Sequence, residues 1–170
     1  DLRDRFIITI DPVDARDFDD AISLERTPDG GYKLGVHIAD VSHYVVWDGH
    51  IDLEARHRTT SVYLADRVLP MLPARLSNDL CSLRPDEDRL AFTVDIELDA
   101  QGRVRRYDPY PSVIRSRVRM DYDGAEALLV RAGAVEYGVL EGAAEDVAAV
   151  ETSREEALKR GLACEETARG

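Results

Sequence analysis

Cysteine is nearly absent from this 170-residue chain: Cys81 and Cys164 stand far apart, with no ligand-like spacing. A disulfide-built secreted scaffold is thereby excluded, and the cytoplasm, a reducing compartment, is the expected setting. Long apolar runs are missing too. No stretch approaches the roughly 20 residues needed to cross a bilayer, and the opening residues carry no signal-peptide pattern, so no membrane association is expected. Positive charge is outnumbered, 22 basic against 34 acidic side chains, for a net charge of −12. That balance excludes a generic nucleic-acid coat, which would carry a basic field. It leaves room for a nuclease, because an acidic site loaded with metal can work within an acidic envelope. The imbalance is uneven: residues 1–122 hold 17 basic and 23 acidic side chains, and residues 123–170 hold 5 and 11. Each part nets −6, so the shorter tail is the more anionic and the less suited to touch phosphate.

An apolar share of 44% and a charged share of 33% describe one globular domain able to bury a sizeable core. The chain begins at Asp1 rather than Met and is read as a piece of something longer. Its most informative stretch is Asp11-Pro-Val-Asp-Ala-Arg-Asp-Phe-Asp-Asp20, in which five of ten residues are aspartate. Two carboxylates about 5 Å apart repel by roughly 3 kcal/mol at an effective dielectric near 20. Such crowding beside apolar runs calls for a cation, and hard oxygen ligands suit Mg²⁺ or Mn²⁺.

The flanking pattern is mostly β. Phe6–Ile10 reads as a buried strand that Pro12 terminates. Ala21–Arg26 and Tyr32–Val41 read as a hairpin about Thr27-Pro-Asp-Gly-Gly31, a type I turn with Gly30 at the left-handed position. This register sets Glu25 opposite Lys33 and Leu24 opposite Leu34, charge on one face and core on the other. Asp52–Ala65 reads as helix, and Val68–Leu83 as loop and short turns with a cap at Ser77. A second hairpin, Ala91–Asp99 with Arg103–Tyr107, opposes Glu97 to Arg105. Val113–Met120 alternates, with Arg115, Arg117 and Arg119 on one side, placed either against nucleic-acid phosphates or against Asp95, Glu97 and Asp99. Helix is expected over Gly124–Ala132 and Ala143–Arg160. His37 reads as a hydrogen-bonded structural residue, and Cys81 as a small buried hydrophobe. The fold class is α+β: a mixed, mainly antiparallel, barrel-like sheet flanked by helices.

Three readings compete for the aspartates. An EF-hand fails, because counting from Asp17 puts Ala21 at position five, Ile22 at six and Pro28 at twelve. A solvated acidic loop is open, though the flanking runs are core-like with almost no linker. A metal-dependent phosphotransfer site is the third, since paired divalent ions need several carboxylates to position and ionise a water for in-line attack.

Thr9-Ile-Asp-Pro-Val-Asp-Ala-Arg-Asp-Phe-Asp-Asp-Ala-Ile22 resembles the signature of the ribonuclease II/ribonuclease R family, the RNB catalytic domain. Val36-His-Ile-Ala-Asp-Val-Ser-His-Tyr44, Ser61-Val-Tyr-Leu64, Val68-Leu-Pro-Met-Leu-Pro73 and Leu76-Ser-Asn-Asp-Leu-Cys-Ser-Leu83 agree in the same order, closer to the ribonuclease R branch. The resemblance implies a processive 3′→5′ exoribonuclease domain that hydrolyses single-stranded RNA to nucleoside 5′-monophosphates with Mg²⁺. It carries the metal set onto Asp11, Asp17, Asp19 and Asp20, with Asp19 and Asp20 catalytic, and leaves Asp14 outside. It carries the tyrosine that stacks on the 3′-terminal base onto Tyr63, and a second tyrosine along the RNA onto Tyr122. Ala65, Thr59 and Asp79 depart from the family pattern where Pro, Gly and Gly are usual. The implied domain is about twice this long, so residues 1–130 are expected to form its N-terminal half. Residues 131–170 would be an acidic helical tail continuing into the other half, with flanking cold-shock and S1 domains. The rival is a catalytically incomplete RNA-binding or protein-interaction module.

Overall fold

The computed structural model describes residues 1–131. The helix expected at Ala143–Arg160, with the rest of the acidic tail, lies outside the described residues. In chain order the elements are β1 (Ile8–Asp11), β2 (Asp20–Arg26), β3 (Tyr32–Ala39), the single turn α1 (Val41–Tyr44) and α2 (His50–Arg58). There follow the two-residue strands β4 (Val62–Tyr63) and β5 (Val68–Leu69), a π-helical turn (Leu76–Leu80), β6 (Asp88–Leu98), β7 (Val104–Arg115), β8 (Val118–Asp121) and α3 (Tyr122–Arg131). The main sheet is open, in the order β7-β6-β3-β2-β1-β8, and the class is α+β as expected. The described residues divide into two compact units: residues 1–9 with 15–117, and residues 10–14 with 118–131.

In the larger unit the first hairpin forms in the register its sequence dictates, Leu24 opposite Leu34 and Glu25 opposite Lys33. Gly30 sits at φ 82°, and the Thr27 N–H donates to the Gly31 carbonyl at 3.0 Å, closing the turn. β1 stops at Asp11, where Pro12 withholds an N–H.

Four expectations give way. The second hairpin carries an irregularity between Glu97 and Leu98, so Glu97 faces Arg106 instead of Arg105. Arg105 is thereby released to reach Asp29 at 2.5 Å. β7 runs unbroken through Pro109 and Pro111, which an edge strand tolerates because one row of its N–H groups has no ladder partner. The helix expected over Asp52–Ala65 ends at Arg58, where Thr59 takes φ 64° and its N–H closes on the Ala55 carbonyl at 2.9 Å. The β-branched residues after it leave the helix and pair instead, Val62 with Leu69 and Tyr63 with Val68. Ser77 lies inside the π-helical turn rather than capping a helix.

The largest departure concerns which face is covered. The core of the larger unit gathers Ile7, Phe18, Leu76, Cys81 and Leu83 over Ala21, Ala39, Ala91 and Ile114. The sheet positions on that same face are Ser23, Gly35, His37, Thr93, Asp95 and Ser112, polar or small and all buried. Small side chains let the covering segments approach closely, and the polar ones pair among themselves. His37, fully buried, sits between Ser23 Oγ at 3.0 Å and Thr93 Oγ1 at 2.8 Å, and Thr93 meets Ser112 at 2.7 Å. Asp95 accepts from Arg5 at 2.6 Å, Lys33 at 3.0 Å and Tyr110 at 2.8 Å. The apolar face bearing Leu24, Ile38 and Phe92 is the more exposed one, with Leu24 at 60%. Alternation correctly separates the two faces but not which of them is covered.

Candidate functional site: an acidic loop beside Tyr63

The loop entering β2 alternates about one anchor. Phe18 is buried in the core, which leaves Asp17 and Asp19 on either side of it as the more accessible positions. The backbone here is stitched to the segment after the π-helical turn. The Phe18 N–H donates to Ser82 Oγ at 3.1 Å, the Ser82 hydroxyl donates to the Arg16 carbonyl at 2.8 Å, and the Leu83 N–H donates to the Phe18 carbonyl at 2.9 Å. One step on, the Ala39 N–H donates to the Asp19 carbonyl at 2.9 Å, and Asp20 begins β2 opposite Ile38.

Electrostatics ties these carboxylates together. The Asp19 carboxyl is pushed above the ordinary aspartate range, first because surrounding protein strips water from it, then because Asp17 and Asp20 repel its charge. Tyr63, on β4 and 69% exposed, reaches back so that its hydroxyl donates to Asp17 Oδ2 at 3.4 Å. The negative charge of Asp17 is the main reason the Tyr63 phenol holds its proton more tightly than usual. Burial raises the Cys81 thiol, with the charges of Asp19 and Asp40 adding to it. Asp40 accepts from the Ser42 hydroxyl at 2.6 Å and the His43 N–H at 3.2 Å.

The oxygen donors fit a hard divalent cation in type and charge, and a cation would relieve the repulsion felt at Asp19. Among the described residues, no three His, Cys, Asp or Glu side chains are drawn together closely enough to coordinate an ion. Asp11 closes β1, and it and Tyr122, the first residue of α3 and 58% exposed, belong to the smaller unit. Asp14 is exposed. In place of the acidic face of Asp95, Glu97 and Asp99, the arginine row meets other partners. Arg115 binds Asp88 at 2.6 Å, Arg117 donates to the Arg3 carbonyl at 3.0 Å, and Arg119 donates to the Pro12 and Val13 carbonyls at 2.7 Å. Asp95 and Asp99 are answered from elsewhere, Asp99 by Arg103 at 2.8 Å. Sequence reasoning passed over Ser82 and Asp40. The available signal for Ser82 was its place between Cys81 and Leu83, a polar residue inside an apolar run.

An open α+β sheet delivering an aspartate-rich loop beside an exposed tyrosine defines the class of domain. Comparison with known proteins makes it specific: the RNB domain family matches residues 1–160, and the chain belongs to that family. It is 60% identical over 129 residues to ribonuclease R of Thermotoga maritima, covering 76% of this chain and 18% of that protein. To ribonuclease R of Aquifex aeolicus it is 54% identical over 136 residues, 80% of this chain and 19% of that one. The chain thus spans about a fifth of the length of these relatives. Mycoplasma genitalium RNase R in complex with ribose-methylated single-stranded RNA superposes with a TM-score of 0.73 at 36% identity, over 94% of this chain and 23% of that one.

Proposed function

We propose that residues 1–130 form the N-terminal half of an exoribonuclease domain that degrades single-stranded RNA processively from its 3′ end, releasing nucleoside 5′-monophosphates. The observation that carries this reading is the loop Ala15–Asp20, whose carboxylates perturb one another while Tyr63 reaches Asp17. RNB family membership and the likeness to an RNase R in complex with single-stranded RNA support it.

In this reading Asp11, Asp17, Asp19 and Asp20 hold Mg²⁺, with Mn²⁺ as a substitute. When bound, such a cation acidifies a water and offsets phosphodiester charge. Asp19 and Asp20 orient the attacking water toward phosphorus. Tyr63, exposed and tethered beside the carboxylates, stacks on the 3′-terminal base, a sequence-tolerant contact typically worth about 1–3 kcal/mol. Tyr122 receives a second nucleotide further along the strand. The remainder of the domain, with flanking cold-shock and S1 domains, would feed the RNA in, and the setting would be cytoplasmic.

Release of mononucleotides from 3′-labelled single-stranded RNA, with and without Mg²⁺ and with Asp19→Asn, tests this reading. Mg²⁺-dependent release that Asp19→Asn abolishes is expected. RNA binding without turnover would favour a catalytically incomplete binding module instead.

A further inference from the structure

We propose that Ser82 is a positioning residue for the acidic loop, its single hydroxyl strapping the backbone on both sides of Asp17 so that Asp17 and Asp19 stay within reach of one cation. This rests on the metal-binding reading of the loop given above.

Two observations carry it. The Ser82 side chain is wholly buried, and its oxygen is used twice: it accepts from the Phe18 N–H at 3.1 Å and donates to the Arg16 carbonyl at 2.8 Å. Those two groups flank Asp17, so one side chain fixes the entry and exit of the residue that meets Tyr63. The strap is itself held rigidly. The Ser82 carbonyl accepts from Arg89 Nε and from the Arg84 N–H, each at 2.8 Å, and Cys81 and Leu83 on either side are core residues. Replacing residues that hold metal ligands in place typically costs about 10–100-fold in metal affinity or activity.

The test is Mn²⁺ binding to the 170-residue chain, read from the spin resonance of free Mn²⁺, for the parent, Ser82→Ala, Asp19→Asn and the core variant Ile114→Val. Ser82→Ala is expected to weaken Mn²⁺ binding about tenfold, equivalent to about 1.4 kcal/mol. Ile114→Val, a conservative change in the core cluster that also holds Phe18 but one that removes no hydrogen bond of the loop, is expected to bind as the parent does. Parent-like affinity in Ser82→Ala, or equal weakening in Ile114→Val, overturns the role of Ser82. Parent-like affinity in Asp19→Asn overturns the metal site itself, and the Ser82 proposal with it. Should Ser82→Ala fail to fold, Ser82→Thr, which keeps the hydroxyl, is compared with Ser82→Cys, which keeps the size. Tighter binding by the threonine variant supports the strap, and equal binding refutes it.

Discussion

Acid should unfold this protein in a window that one residue controls. His37 is fully buried between Ser23 and Thr93, and its ring is held down from the ordinary value of 6.5 to about 4, chiefly by burial, with Arg5 adding repulsion and Asp95 opposing it. Below pH 6.5 the unfolded chain takes up a proton at His37 that the folded chain refuses until about pH 4. The unfolded state therefore binds more protons in that range, and stability falls as pH falls through it. At about 1.4 kcal/mol per pH unit, the gap amounts to on the order of 3 kcal/mol. The Arg5-, Lys33- and Tyr110-bonded Asp95, held at about 2 against the usual 3.8, acts lower down, so its contribution is lost only below that carboxylate value. Urea denaturation of the parent and of His37→Gln between about pH 7 and pH 4.5 separates the two effects, because glutamine does not titrate. The parent is expected to lose stability more steeply than the variant on acidification. Parallel curves would refute the reasoning, since the buried imidazole would then carry no proton linkage.

Leu83→Ala, at a fully buried position, is expected to cost about 2–5 kcal/mol, whereas Leu24→Ala, 60% exposed, should stay within about 0.5 kcal/mol. The reverse ranking in urea titrations would mean the apolar sheet face is the covered one. A Cβ at Gly35 would lie 2.4 Å from Ser23 Oγ and 2.9 Å from His37 Nε2, so Gly35→Ala should lower stability by about 1–3 kcal/mol. An unchanged melting temperature would contradict the tight polar layer. Tyr63→Phe keeps the ring and loses only the hydroxyl that meets Asp17, so it should bind single-stranded RNA much as the parent does. Tyr63→Ala should weaken that binding by about 1–3 kcal/mol in fluorescence anisotropy, and equal affinities for all three proteins would remove Tyr63 from the RNA path.

Local rules made much of this fold legible. Gly30 and the Thr27–Gly31 turn fixed the first hairpin to the residue, and Pro12 fixed the end of β1. What escaped depended on the rest of the chain. The irregularity at Glu97 and Leu98 shifts Arg105 by one position toward Asp29, a partner 76 residues away that no local pattern announces. Thr59 stops α2 in a conformation that few non-glycine residues take, so periodicity alone overran the helix. The buried polar face of Ser23, His37, Thr93 and Asp95 defies the usual rule, because its pairing partners lie on different strands and on the opening segment. At the candidate site, the aspartates and Tyr63 were legible as motifs. The Ser82 strap was not, since it joins residues 64 and 66 positions apart.

The central claim is that the carboxylates of this loop hold a divalent cation where RNA is cut. Crystals grown or soaked in Mn²⁺ and measured at a wavelength where manganese scatters anomalously test it most directly. The account predicts an anomalous peak with oxygens of Asp17 and Asp19 bonded at about 2.0–2.2 Å, absent from Asp19→Asn crystals. Peaks only at other carboxylates, or a peak at the loop that survives Asp19→Asn unchanged, would contradict it.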